Sequence, residues 1–436
     1  MARHFTIIGG SLALGAALAV AVAAQAPRIV NGRVSEQPAG SPLAGTFTGL
    51  VASGAEVVWI GYTVPVVGTE RTMCCTDSGS TYISGSVISV DRASCCMACR
   101  LEPSSTQSSV GSRPSAPVAP IQLEASDRMT VLFRVSERRV ERIRVFSSDC
   151  ELDAGGRAVI WLDDVRPAES IALLESFATA PDRRDRVVDG AVSAIALHRD
   201  AAADAALERL VSPNQPAAVR RKVTFWLGNA RGARGLDLLR GILKNDPSAE
   251  VRRSAVFGVS QSREPGAFDL LRDIARTGTE PRLRSEAVFW IAQTDDGRGP
   301  AIILEALEKD PSPEVRKKAV FALSQLKNDA GVEPLIHIAR THSSPAVRGE
   351  AIFWLGQKAG VKASAAITER IEQDPETEVK KRAVFALSQL PKDEGVPLLI
   401  KVARTNSNPA VRKQAMFWLA QSKDPRAVEF FAEILK

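Results

Sequence analysis

The sequence predicts an α-solenoid of paired helices behind a small, cysteine-bearing β-rich domain. Three observations carry this. A Val-Arg-like pair recurs every 32 residues, as Val219-Arg220, Val251-Arg252, Leu283-Arg284, Val315-Arg316, Val347-Arg348, Val379-Lys380 and Val411-Arg412. All six cysteines fall between residues 74 and 150, and none follows. Aromatic residues make up only 5% of a 436-residue chain that is 45% hydrophobic, so the core is built from Ala, Val, Leu and Ile. The length exceeds one ordinary domain, and the 24% charged fraction is globular rather than disordered.

Residues 1–26 read as a secretory signal peptide. Arg3 supplies a weakly positive start, an uncharged apolar run extends from Ile7 to Ala24, and small residues at Val22-Ala23-Ala24 and Ala24-Gln25-Ala26 suit cleavage. The run is about long enough to span a bilayer, so an uncleaved membrane anchor is the alternative. Export to a bacterial-type envelope, periplasmic or extracellular, is the expectation.

Residues 27–45 read as a Pro/Gly-rich extended lead-in, and residues 46–166 as one β-rich domain. Val57 to Val64 is β-branched and aromatic and stops at Pro65. Residues 81–90 read as a strand after the turn signal Asp77-Ser78-Gly79-Ser80. Residues 103–120 are a Ser/Pro-rich loop. Strand patterns resume at 129–135, 140–146 and 158–162. Cys74, Cys75, Cys95, Cys96, Cys99 and Cys150 are an even set in an exported segment, which predicts three disulfides among 15 pairings that sequence leaves open. The competing metal reading has one Cys-x-x-Cys, at Cys96 and Cys99, with no second clean pair or histidine beside it.

From Pro167 the pattern becomes helical, and residues 167–436 read as about eight repeats, the first degenerate. Six positions after each Val-Arg start stands a phenylalanine, from Phe225 to Phe417, and ten positions after it Asn229 or a glutamine, from Gln261 to Gln421. A fixed period of this length is a solenoid signature. Asp246-Pro247, Asp310-Pro311, Asp374-Pro375, Ser344-Pro345 and Asn408-Pro409 read as N-caps followed by proline at the first helical position. Offsets 0, 4, 7 and 8 are expected on the buried face. A second period of 64 is carried by Trp226, Trp290, Trp354 and Trp418, with Gly258, Ala322 and Ala386 between them. These tryptophans read either as core filling between unequal copies or as a row gripping a ligand.

The Asp-Pro start, the Val-Arg pair, the Ala-x-Phe-x-Leu segment and the closing Leu-x-x-Ile-Ala resemble HEAT repeats of the phycobilisome-lyase-like (E/Z) class over about 250 residues. The resemblance implies a scaffold fold serving many functions. It also implies two enzymatic alternatives, a bilin lyase and a di-iron hydroxylase with paired His-Glu motifs. This chain has no His-Glu dipeptide, and its four histidines are scattered. No catalytic constellation, cofactor motif or metal site is found.

The net charge of +6 belongs to the repeats, where residues 181–436 hold 41 basic and 33 acidic side chains. The residue after each recurring Val is expected to make inter-repeat hydrogen bonds and ion pairs. Arg276, Glu308, Arg340, Glu372 and Arg404, at the end of successive second helices, are expected to form a chain of alternating charge. Alternation argues against a phosphate-tracking stripe, so nucleic acid is not the expected partner. The reading is a non-enzymatic, exported scaffold binding another protein. Its candidate contact residues are the four tryptophans, Arg276, Arg340 and Arg404. Phe430 and Phe431 of the last copy are candidates for a partner or a homodimer. A membrane enters only through an uncleaved N-terminal segment.

Overall fold

A computed structural model describes residues 27–54, 56–68, 94–95, 99–102, 121–122, 127–148, 150–181, 184–358 and 360–435. The segment read as a signal peptide, the strand expected at 81–90, the loop expected at 103–120 and Cys74, Cys75 and Cys96 lie outside them. The chain divides into two compact units, residues 1–173 and 174–436, with the boundary inside helix α2 (Pro167–Thr179).

The strands of the first unit are β1 (Ile29–Val30), β2 (Arg33–Pro38), β3 (Val58–Pro65), β4 (Ser94–Cys95), β5 (Cys99–Arg100), β6 (Ile121–Gln122), β7 (Arg128–Ser136), β8 (Arg139–Ser147), β9 (Leu152–Asp153) and β10 (Ala158–Asp163). Five form a mixed sheet in the order β2-β10-β3-β7-β8. In it β10 runs parallel to both β2 and β3, whereas β3-β7 and β7-β8 are antiparallel. Small sheets β1-β9-β5 and β4-β6 accompany it. The segment read as a lead-in therefore supplies two strands and opens a helix, α1 (Leu43–Ser53). Strand β2 is a largely exposed edge, so no apolar alternation announced it.

Both faces of the sheet are covered. Helix α1 places Phe47 on Phe133, with centroids 4.7 Å apart and an edge-on geometry. On the opposite face Trp59, Leu132, Phe146, Cys150, Leu152 and Val159 form one buried cluster. Glu102 enters this region satisfied, accepting from Trp59 Nε1 at 2.9 Å and from Arg134 at 2.9 and 3.1 Å. Gly61 is required in β3, because a Cβ there would sit 2.6 Å from Leu132 and 2.9 Å from Trp161.

The second unit is a stack of helix pairs. The first helices are α3 (Asp185–Leu197), α5 (Ala217–Ala230), α7 (Ala249–Ser260), α9 (Pro281–Ile291), α11 (Pro313–Ser324), α13 (Pro345–Lys358), α15 (Thr377–Ser388) and α17 (Pro409–Ser422). Their partners are α4 (Ala202–Leu210), α6 (Gly232–Asn245), α8 (Gly266–Thr277), α10 (Gly299–Lys309), α12 (Val332–Thr341), α14 (Ser364–Gln373), α16 (Lys392–Thr405) and α18 (Pro425–Ile434). Among the described residues no helix is long and apolar enough to cross a membrane.

The burial pattern extends the expected core face by one offset and corrects it at the tryptophans. Offsets 0, 4, 7 and 8 are buried in α7, as Val251, Ala255, Gly258 and Val259, and likewise in α11 and α15; offset 5, Val256 in α7, joins them. Offset 7 is at the edge of this stripe. Small residues there are buried, whereas the tryptophans are half-buried.

The caps divide into two kinds. Asn408 accepts from the Ala410 N–H, as an N-cap should. Asp246, Asp310 and Asp374 do not cap the helix as expected. Helices α7, α11 and α15 begin three residues later, and each aspartate accepts from the backbone N–H two residues on, at 2.8, 2.8 and 3.0 Å. That is an Asx turn ending the preceding helix pair. The turn leaves the second carboxylate oxygen for an arginine, so the Asp-Pro step serves the joint between copies.

Candidate protein-interaction surface

Three arginines of the Val-Arg pairs, one in every second copy, lock joints. Arg284, on α9, donates to the Gly278 carbonyl at the end of α8 at 2.8 Å. The same guanidinium grips Asp310, at the end of α10, through Nε and Nη2 at 2.6 and 2.9 Å. Arg220–Asp246 and Arg348–Asp374 repeat this bidentate geometry, and all six side chains are at most 10% exposed. Burial alone would raise the Asp310 and Asp374 carboxyl pKa values. The hydrogen bonds and charges of Arg284 and Arg348 outweigh it and hold both below the ordinary range. In the intervening copies the equivalent residue finds other partners. Arg252 pairs with Glu280, Arg316 and Arg412 donate to carbonyls, and Lys380 donates to Glu372 O at 2.9 Å.

The 64-residue period is a packing period. Within the doublets α5/α7 and α13/α15 the first helices approach almost backbone to backbone. A Cβ on Gly228 of α5 would lie 1.8 Å from Gly258 O of α7, and one on Gly356 of α13 would lie 2.8 Å from the Ala386 Cβ of α15. Between doublets a tryptophan takes this space. Trp290, Trp354 and Trp418 each lean on the phenylalanine of the preceding copy, at 4.7 Å to Phe257, 4.8 Å to Phe321 and 5.0 Å to Phe385.

The recurring phenylalanines complete one aromatic rail. Inside the doublets Phe225–Phe257, Phe289–Phe321 and Phe353–Phe385 stack at 5.8–5.9 Å with interplanar angles of 22°, 3° and 7°. Each tryptophan also meets its own neighbour, Phe289–Trp290 at 5.0 Å for example. Contacts therefore run unbroken from Trp226 to Phe417. On a helix of 3.6 residues per turn, offset 6 lies roughly opposite the mean direction of offsets 0, 4, 5 and 8. The rail is thus on the outward side of the first helices. Its members are half-buried by one another, and Phe417, in the last described copy, is 52% exposed. The spacing of these phenylalanines was visible in the sequence. Their outward direction follows from the same offsets once the core stripe is located.

The charge ladder on the second helices takes a different register from the one expected. Arg276 pairs with Glu305, Arg340 with Glu369 and Arg404 with Glu433. Glu308 and Glu372 stand one turn further along their helices, and the arginines reach the nearer turn instead. The three candidate arginines are therefore already engaged, on a partly exposed face. Arg276 and Glu305 border an open cleft of about 420 Å³ with Arg284, Ile302 and Asp310. At the last copy Phe430 is buried and Phe431 half-buried, while Val428, Ile434 and Leu435 are exposed at 66%, 47% and 84%.

The histidines have separate settings. His198 is fully buried after α3, with Nδ1 2.6 Å from Ala194 O, and burial pushes its pKa down to about 4. His337 is exposed on α12, and His342 follows that helix and accepts from the Ser344 N–H at 3.0 Å. Among the described residues no group of three His, Cys, Asp or Glu side chains could hold a metal ion. Cys150 is buried in the sheet cluster. Cys95 and Cys99 lie on β4 and β5, and the pairing of the six falls largely outside the described residues.

The sequence matches the HEAT-repeat family over residues 203–292, 300–371 and 364–436, more than half of the chain. The protein belongs to that family. The narrower phycobilisome-lyase-like class is not part of this match. Comparison with curated protein sequences returns no match. Among solved structures the chain is similar to human deoxyhypusine hydroxylase in complex with glycerol, at 15% identity and a TM-score of 0.26, over 59% of this chain and 97% of that one. It is similar to the Escherichia coli protein YIBA at 16% identity and a TM-score of 0.33, over 59% and 98%. It is also similar to Kap121p bound to Pho4p, at 13% identity and a TM-score of 0.36, over 59% of this chain and 34% of that one. At these scores the likenesses carry no argument about function.

Proposed function

We propose that this protein is a non-catalytic scaffold or adaptor, exported through residues 1–26, whose HEAT array holds another protein. The observation that carries the reading is the repetition of surface chemistry. The same outward residue types return in each copy, which builds a long contact surface instead of one catalytic pocket. The phycobilisome-lyase-like affinity belongs to this reading as a statement of ancestry. The disulfide-linked β-rich unit supplies a second contact or an attachment point. The exposed apolar end of α18 fits a second copy docking end to end.

The test is photo-crosslinking in the native envelope, with the full chain carrying a crosslinker at Gln325, just after α11, or at Lys401 on α16. A defined protein adduct at either position is expected, in the fraction outside the cytoplasm. No adduct at either position, or stoichiometric iron in the purified protein, overturns the scaffold reading.

A further inference from the structure

We propose that the aromatic rail is a docking track for an extended, acidic polypeptide segment of the partner. This inference rests on the scaffold reading and assigns the face and the chemistry.

Offsets 2 and 10 lie about 40° to either side of the rail on the same helices. At offset 2 the seven copies from α5 to α17 carry Arg221, Arg253, Lys317, Lys381 and Lys413, with Ser285 and Gly349 in the other two and no acid. Arg221 pairs with Glu250, and Lys381 with Glu378, both across exposed surface. Among the described residues no carboxylate pairs with Arg253, Lys317 or Lys413, and the two lysines are exposed. The row thus carries a cation at five of seven positions and no acid, interrupted at the buried Ser285 and at Gly349, and three of its five cations have no carboxylate partner among the described residues.

The other side of the rail is a row of carboxamides. Gln261, Gln325 and Gln389 each donate to the preceding serine hydroxyl, at 3.2, 2.9 and 3.0 Å. Those serines donate in turn to the phenylalanine carbonyls at 2.7 Å. The amides are therefore oriented. Gln261 and Gln325 keep a carbonyl oxygen and a second N–H for the backbone of a chain lying along the rail.

The three rows together match an extended peptide. Apolar side chains meet ring edges, backbone groups meet the amides, and carboxylates meet the cationic row. Single-stranded nucleic acid would also seek positive charge and aromatic rings, but it stacks on ring faces. Here the near-parallel Phe289–Phe321 and Phe353–Phe385 pairs already cover one another's faces.

The test uses the full chain and fluorescence anisotropy. The probes are a fluorescein-labelled unstructured peptide of Glu, Leu and Phe long enough to cross two doublets, its Lys-for-Glu counterpart, and an oligothymidylate of equal charge. The Glu peptide is expected to bind best, and Arg253→Glu/Lys317→Glu/Lys413→Glu to weaken it by at least about tenfold. An unchanged helical circular dichroism melt shows that these surface reversals leave the fold intact. Equal binding of the Lys peptide, preference for the oligothymidylate, or an unchanged affinity in the triple variant overturns the inference. The crosslinking experiment separates the two levels. An adduct at Lys401 but not at Gln325 removes the rail and leaves the scaffold, whereas no adduct at either removes both.

Discussion

Replacing Arg284 with Met tests the joint between copies. In the native array this guanidinium makes two bonds to Asp310 and one to Gly278 O, and the pair is 10% and 5% exposed. Methionine keeps the aliphatic stem and removes the charge. Asp310 is then left buried with the Ser312 N–H as its remaining bond. Breaking one side of a buried pair costs about 3–5 kcal/mol, most of it from the stranded charge. Arg284→Met/Asp310→Asn should recover a large part of that loss. Arg276→Met is the control. Its pair with Glu305 has the same 64-residue period but is 46% and 32% exposed, so the cost should be about 0–1 kcal/mol. A repeat array is quasi-one-dimensional and need not unfold in one step. Urea titration should therefore be read with hydrogen exchange. Arg284→Met should lower protection first in α9 to α11. Acid should act in the same place. Asp310 has a depressed pKa, so its contribution is full above the ordinary carboxylate range and is lost as pH falls through the folded-state value. Equal costs for Arg284→Met and Arg276→Met, or protection lost uniformly along the array, would refute the reasoning.

Other outcomes follow from single contacts. Gly228→Ala should cost about 1–3 kcal/mol or more, since its Cβ would meet Gly258 O, while Gly241→Ala, with open space around it, should stabilise α6 by about 0.5–1 kcal/mol in the same urea titration. His198 is neutral and buried with a depressed pKa, so the unfolded chain binds the extra proton between pH ~6.5 and about 4. Exchange protection of α3 should drop over that window by about 3 kcal/mol, and His198→Gln should abolish the drop. If two copies dock through α18, Leu435→Asp should shift a dimer to monomer on size exclusion, and a wild-type monomer removes that idea; Leu435 is chosen because Phe430 is buried and its replacement would disturb the fold. Export and disulfide formation predict no free thiol in the denatured, unreduced mature protein by thiol titration. Six reactive thiols would overturn that prediction.

The helical array was legible because a repeat writes its own alignment. Each copy states again which offset is Val, Arg, Phe or Gln, and the 64-residue alternation of Trp with Gly or Ala announced unequal joints. The strands with clear alternation or β-branched runs were equally readable. Edge strand β2 and helix α1 were not, because one is solvent-exposed and the other lies in a Pro/Gly-rich stretch whose partners come from Phe133 and Glu169, far along the chain. The candidate surface was half legible. Its phenylalanines and glutamines were marked by spacing, but the cations at offset 2 were not, and the outward direction of offset 6 became readable only once the buried offsets were located.

Sequence by itself determined the period, the copy number and the chemistry available at each offset, since these are properties of order along the chain. Direction and partnership were decided only in three dimensions. Arg276 takes Glu305 rather than Glu308 because a side chain reaches across to the nearest turn of the next helix. Asp310 closes a joint and does not cap a helix, because its free oxygen faces Arg284 in the fold. The phenylalanines form a rail because stacking brings positions 32 apart within ring contact. Distance along the chain sets what can repeat, and distance through space sets what can touch.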